Sequence, residues 1–170
     1  MSDDAATVIL RPMTDGDVPQ VIAVQEPGTI VILETVFPQD AFPFPRDDIA
    51  RRWRAEIDAP EIDAFVVVDR AEVIGFAAIR HEEFLHFGIA IERWGSGAAQ
   101  RAHAQVLEQM RHHGVTRAWL RVFTGNSRAR AFYERLGWRS TGDRTYSTFA
   151  PNPELLRYER DVDAAAERKV

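Results

Sequence analysis

Two stretches of this chain hold residues whose types and spacing can carry chemistry. The first is Gly95-Ser96-Gly97-Ala98-Ala99, which follows an apolar run and opens a helical pattern. The second runs from Asn126 to Trp138 and carries Phe132-Tyr133. The first N–H groups of a helix have no partner within it, and its dipole favours an anion at that end. Glycines there let backbone approach a phosphate closely, and Ala98 and Ala99 keep the next positions small. Taken alone, Gly95 and Gly97 serve turn geometry as readily as a ligand. Asn126 is as readily a plain N-cap, and Tyr133 as readily core. The turn lacks the third glycine of a dinucleotide fingerprint and the Gly-Lys-Ser/Thr of a P-loop. Taken together, the two stretches describe a slot for a thin, phosphate-bearing ligand beside a hydroxyl able to donate a proton.

The elements that must position these residues follow from periodicity. Residues 7–11 read as a strand ended by Pro12. Asp15 caps a helix that runs to about Gln25 and is broken at Pro27-Gly28. Residues 29–37 fit helix or strand equally. Residues 38–45, rich in proline and phenylalanine, are a loop that either lines a pocket or packs as a lid. A helix runs from Asp47 to about Ile57 with Ile49, Trp53 and Ile57 on one stripe. Residues 65–68 and 73–80 form a hairpin, and 84–91 a longer strand. A helix over 97–113 stops at Gly114. Strand 117–123 and a helix over 126–136 follow. Residues 138–141 and 155–161 are the last strands, with 145–149 as an extension. The tail from Asp163 is helix-prone or frayed. This order predicts an α/β (α+β) fold, a mixed and mostly antiparallel sheet of six or seven strands flanked by helices. The strand–helix–strand unit from 84 to 123 supplies one parallel pair. Splaying of that pair would bring both helix N-termini to one slot.

The chain of 170 residues reads as one domain over 1–170. It has no cysteine, so disulfides, thiolate metal sites and a cysteine nucleophile are excluded. Its net charge of −5 gives no basic face for nucleic acid. Arg51, Arg52 and Arg54 cluster, which leaves room for a local basic patch but reads first as a solvated helix face. No apolar run approaches the ~20 residues needed to span a bilayer, and the acidic start carries no leader pattern. A cytoplasmic protein is expected, with no membrane partner. His81 with His86, and His112 with His113, lack metal-ligand spacing, so no metal is expected.

With Trp94-Gly95-Ser96-Gly97-Ala98-Ala99 and Asn126-x-x-Ala129-x-x-Phe132-Tyr133-x-x-x-Gly137-Trp138 in this order, the chain resembles the GCN5-related N-acetyltransferase (GNAT) superfamily. The family's cofactor motif is Gln/Arg-x-x-Gly-x-Gly/Ala. The resemblance is strongest from Phe87 to Trp138 and weak before Phe65. It implies acetyl-coenzyme A as co-substrate and acetyl transfer to an amine. It implies that backbone groups of Phe87, Ile89 and Ile91 hold the pantetheine arm. The N–H groups of Gly95, Ser96, Gly97, Ala98 and Ala99 would hold the pyrophosphate, Asn126 would touch the cofactor, and Tyr133 would face its sulfur. Trp94 departs from the motif's Gln or Arg, and Arg93 or Arg101 would have to replace that contact. The acceptor implied is a small-molecule amine or a protein N-terminal amine, and a homodimer is one assembly the resemblance allows.

An alkylammonium must lose a proton before it can attack a thioester, so a base is required. Glu82, Glu83, His86 and Glu92 lie on or near strand 84–91. Some relatives use a glutamate near the start of this strand, which falls on Glu83. Glu82-Glu83 equally suits an exposed hairpin turn. Where other relatives carry a glutamate in the next strand, this chain has Arg121. Glu34 is a further candidate. A non-catalytic acyl-coenzyme A-binding domain on the same fold is the alternative, and both readings predict coenzyme A binding.

Overall fold

The computed structural model describes residues 7–163; the acidic start and the tail beyond Asp163 lie outside the described residues. Seven strands form one sheet: β1 (Val8–Pro12), β2 (Ile62–Asp69), β3 (Glu72–Arg80), β4 (Glu83–Ile89), β5 (Arg117–Phe123), β6 (Arg139–Tyr146) and β7 (Glu154–Asp161), in the order β1-β2-β3-β4-β5-β7-β6. Every neighbouring pair is antiparallel except β4–β5. The predicted segments 138–141 and 145–149 are therefore one edge strand, interrupted by a register shift between Ser140 and Arg144.

The helices are α1 (Val18–Ile32), α2 (Arg46–Asp58), α3 (Ala98–His112) and α4 (Ser127–Arg135). Val18, Val21 and Ile22 of α1 pack with Ile49 and Trp53 of α2 against one face, on Val66, Val68, Phe76 and Ala78. Val106, Leu107 and Met110 of α3 and Tyr133 of α4 pack on the other, against Phe84, Leu120 and Tyr158. The predicted break at Pro27-Gly28 does not occur; α1 passes through Pro27 to Ile32. Proline removes one helical N–H and crowds the preceding turn. Here its ring lies on the exposed side of a helix whose opposite stripe is docked on the sheet, and that packing outweighs the local penalty.

The site is set by what happens to β4. Ala78 pairs with His86 but Ile79 pairs with Phe84, so Leu85 is an extra residue in β4. Such a bulge bends a strand and increases its twist. The parallel ladder to β5 is confined to Glu83↔Trp119, with the Trp119 N–H donating to the Glu82 carbonyl at 2.9 Å. Past that rung β4 stays with β3, while β5 pairs with β7 along its whole length. The two strands thus diverge towards their C-terminal ends, where α3 and α4 begin. The predicted strand over 84–91 is shorter: β4 ends at Ile89, and Ile91 lies in a 3-10 turn, Ile91–Arg93, that leads into the glycines.

The path of β4 depends on a close approach at Gly75. A Cβ there would lie 2.4 Å from the Gly88 carbonyl oxygen, an overlap that only a shift of backbone relieves. Gly75→Ala is expected to destabilise the protein by about 2–3 kcal/mol through overpacking, read as a lower urea midpoint.

Candidate active site

The open edge of β4 presents backbone to the slot. The Ala90 N–H donates to the Ile74 carbonyl at 2.7 Å, which makes that pair a hydrogen-bonded one. Alternation along an antiparallel ladder then turns the N–H and C=O of Ile89 and Phe87 away from β3, towards the gap. The Ile89 carbonyl confirms the direction, because it accepts a hydrogen bond from Trp94 Nε1 at 3.0 Å. An extended ligand with amide groups can pair with this edge as a missing strand would.

The glycine turn closes one end of the gap. Gly95 and Gly97 have φ of 77° and 86°, the left-handed region open to glycine at little cost. The Ser96 N–H is used by the Arg93 carbonyl and the Ala98 N–H by Ser96 Oγ. The N–H groups of Gly95, Gly97, Ala99 and Gln100 have no partner among the described residues. Free donors at the start of a 15-residue helix suit the oxygens of a pyrophosphate. At the other side of the gap, Asn126 caps α4, its Oδ1 accepting from the Ala129 N–H at 3.0 Å, which leaves its amide NH2 to face a ligand.

Trp94 is the departure from the family motif, and the structure gives it a role. Its indole holds the Ile89 carbonyl, and the Arg128 guanidinium of α4 lies 4.1 Å from the ring centroid. The pair bridges the end of β4 and the start of α4. Of the two arginines expected to replace the missing contact, Arg93 is tied to Asp69 and Glu72 on the β2–β3 hairpin. Arg101 instead folds against Gly97, beside the free N–H groups. Trp94→Phe keeps the ring under Arg128 but frees the Ile89 carbonyl. A neutral hydrogen bond contributes about 1 kcal/mol net, so coenzyme A is expected to bind W94F up to about fivefold more tightly by calorimetry.

Tyr133 stands in the wall between the sheet and α4. Its ring meets Phe84, His103, Phe132 and Trp138 at centroid distances of 5.3 to 6.5 Å. Burial pushes its phenol well above the ordinary value, so it is protonated throughout the working range. The hydroxyl has no hydrogen-bond partner among the described residues, and its oxygen is not among the sealed, unpaired atoms. A protonated donor with nothing to donate to is the state a proton donor needs.

His103, which the sequence reading passed over, holds this wall. It is 2% exposed, and its Nε2 accepts from Trp138 Nε1 at 2.9 Å. Burial, with the charge of Arg160, pushes its pKa down to about 3. The unfolded chain binds a proton at this residue below its ordinary value of about 6.5 while the folded protein does not, so stability falls as pH drops through 6.5. About 2 kcal/mol is expected to be lost between pH 6.5 and 5, and His103→Gln should flatten that slope in urea titrations.

The opposite face of β4 holds the candidate bases. Glu83 is not in an exposed turn, as its neighbours had suggested, but is 2% exposed in β4 at the single β4–β5 rung. Its Oε1 accepts from Arg80 Nη2 at 2.7 Å. Its Oε2 is buried without a hydrogen bond, with Arg121 Nη2 at 3.8 Å. His86 Nε2 lies 2.9 Å from Glu56 Oε2, and Arg52 Nη2 lies 3.3 Å from His86 Nδ1. Arg52 thus turns inward and is not part of a solvated face. Burial pushes His86 down, which keeps the ring neutral. Burial pushes Glu56 up, but the His86 hydrogen bond and the charges of Arg52 and Arg80 outweigh it and hold the carboxyl low. Arg52 and Glu56 were missed because an i,i+4 pair in an arginine-rich helix reads as surface. Glu82, Glu92 and Glu34 are exposed, and among the described residues their carboxylates make no ion pair with this cluster.

The mixed sheet has one splayed parallel pair, and its gap opens towards the N-termini of α3 and α4. The family model described as "Acetyltransferase (GNAT) family" matches residues 29–138. The chain belongs to that family. No curated protein matches it at the level of sequence. Among solved structures it is similar to the PaiA N-acetyltransferase of Thermoplasma acidophilum in complex with coenzyme A (15% identity, TM-score 0.73, 95% of this chain and 99% of that one). It is also similar to the spermidine N-acetyltransferase of Vibrio cholerae with CoA and spermine (20% identity, TM-score 0.69, 92% and 96%). A third is the ribosomal-protein-S18-alanine N-acetyltransferase of Escherichia coli (16% identity, TM-score 0.65, 96% and 99%). At these identities the likeness is one of fold. Among the described residues no helix is long and apolar enough to cross a membrane, and no group of three His, Asp or Glu stands ready to hold a metal.

Proposed function

We propose that the protein transfers an acetyl group from acetyl-coenzyme A directly to a primary amine. The observation that carries this reading is the parallel pair held by a single rung, whose gap is bordered by the outward-facing backbone of β4 and by N–H groups of the glycine turn that have no partner among the described residues.

Backbone of Phe87 and Ile89, and of Ile91 beyond the strand, would hold the pantetheine arm. Trp94, Gly95, Ser96, Gly97, Ala98 and Ala99 form the phosphate end, with Asn126 across the gap. Acetyl-coenzyme A, when bound, supplies an activated thioester. Glu83 removes a proton from the acceptor ammonium by way of water, because its free oxygen is buried. His86, neutral and oriented by Glu56, lies on the same face and extends that route. As the new N–C bond forms and the C–S bond breaks, the nitrogen loses its second proton along the same water route, while Tyr133 donates its proton to the departing sulfur and regains one from solvent. Fixed donors aimed at developing charge in a site shielded from water act more strongly than they would in solution.

The second reading is a domain that binds acyl-coenzyme A without turnover, and the indole over the Ile89 carbonyl favours it. Calorimetry with coenzyme A and thiol release from acetyl-coenzyme A over an amine panel separate the two. Binding with amine-dependent release supports transfer; binding with release at the background rate for every amine supports the second reading.

A further inference from the structure

The face of the sheet opposite Tyr133 is only half covered. Helix α1 packs over β3 and β4 and α2 over β2, and among the described residues no helix packs extensively over β5 and β7 on that side. Side chains alternate along a strand. Ala118, Leu120 and Val122 of β5 are buried under α3 and α4, so Trp119, Arg121 and Phe123 take the uncovered face. This face adjoins Glu83, His86 and Arg52.

The charges there do not balance. Arg52, Arg80 and Arg121 face two carboxylates, Glu56 and Glu83, around a neutral histidine. Arg157 and Arg117, further along, are both satisfied by Glu159. Arg121 is the cation left over: it makes no hydrogen bond among the described residues, and its nearest carboxylate oxygen is 3.8 Å away. The charge of Arg121 acts on Arg52, whose own pKa burial already lowers. Arg52 at His86 and Arg121 at Glu83 thus border one partly buried cluster, and an anion reached by both would form charge-assisted hydrogen bonds. The rest of the surface is aromatic. Arg121 and Arg157 lie 5.9 and 4.3 Å from the Trp119 ring centroid, Arg52 lies 5.5 Å from that of Phe149, and Phe37 meets Phe123 edge-on at 5.4 Å.

We propose that the acceptor is an α-amino acid with an apolar or aromatic side chain. Arg121, with Arg52, takes the carboxylate; the amine points to the closed end of the splay, beside Glu83; and Trp119, Phe123 and Phe149 receive the side chain. This deepens the acetyltransferase reading and rests on it. The reaction balances as N-acetylation: the amine gives up a proton and gains the acetyl group, and coenzyme A leaves as the free thiol. A polyamine has no carboxylate for Arg121, and a protein N-terminus has lost its own to the peptide bond.

The test compares matched acceptors on the full chain: phenylalanine, phenylalaninamide, phenethylamine and spermidine, each with acetyl-coenzyme A and followed by thiol release. The amide is the weaker base, so more of it is unprotonated at neutral pH, and a preference for the acid runs against intrinsic reactivity. Phenylalanine is expected to exceed its amide in kcat/KM by about 10- to 100-fold, the range of a charge-assisted pair. Arg121→Gln should collapse that ratio towards one, chiefly through the KM of the acid, and Arg121→Lys should restore part of it. Arg51→Gln, on the exposed face of α2, should leave the ratio unchanged. Amide, phenethylamine or spermidine turned over as well as the acid overturns the inference and leaves the transferase reading standing. If no amine releases thiol, the transferase reading fails and binding decides the inference. Phenylalanine should then raise the Tm of the coenzyme A-saturated protein but not of R121Q, and no shift in the unmodified protein overturns it.

Discussion

Tyr133→Phe is expected to lower kcat by about 100-fold, within the range for loss of a positioned proton donor, while coenzyme A binds as before. The phenol is buried and held protonated, and among the described residues it has no partner to donate to. Removing the hydroxyl therefore breaks no hydrogen bond in the folded protein, and the ring stays packed among Phe84, His103, Phe132 and Trp138. Stability of Y133F should match the unmodified protein within about 0.5 kcal/mol. That combination separates a donor from a packing residue. A drop in kcat together with a large drop in Tm would assign Tyr133 to the core alone. Equal turnover would remove it from the reaction.

Glu83→Gln is expected to act on both activity and stability. Its carboxylate is 2% exposed, hydrogen-bonded to Arg80 and beside Arg121. The amide keeps the shape but withdraws the charge from two guanidiniums and sets an NH2 group near Arg121. A loss of about 1–3 kcal/mol is expected from the unsatisfied groups, measured by urea unfolding. If Glu83 takes the acceptor's proton, kcat should fall about 100-fold. The rate of E83Q should then climb with pH as free amine accumulates, where the unmodified protein reaches a plateau. An unaltered pH profile would leave Glu83 a structural ion and shift the proton route to His86 and Glu56.

The turn and the cap that border the proposed cofactor slot were legible because their residues are close in sequence and act through local backbone geometry. Gly95 and Gly97 sit between a strand and a helix, and Asn126 stands at a helix start; local rules for turns and caps reach both. The acceptor half was not legible. Glu83 reads as part of a turn until the bulge at Leu85 and the rung to Trp119 are known, and neither leaves a pattern in the chain. Arg52 and Glu56 are brought to His86 by the docking of α2, which depends on Trp53 filling the core. The passage of α1 through Pro27 has the same origin: tertiary packing outweighs a local signal. His103 lies in the middle of an apolar helix stripe, and only its hydrogen bond from Trp138 shows what it holds.

The most direct test of the central claim is a single incubation of the purified protein with acetyl-coenzyme A and an amine panel, with coenzyme A and acetylated amine quantified together by mass spectrometry. Both products are expected in equal amounts, and Y133F is expected to bind acetyl-coenzyme A while forming them about 100-fold more slowly. Failure of the unmodified protein to bind acetyl-coenzyme A, or binding with neither product above the enzyme-free rate for any amine, would contradict it.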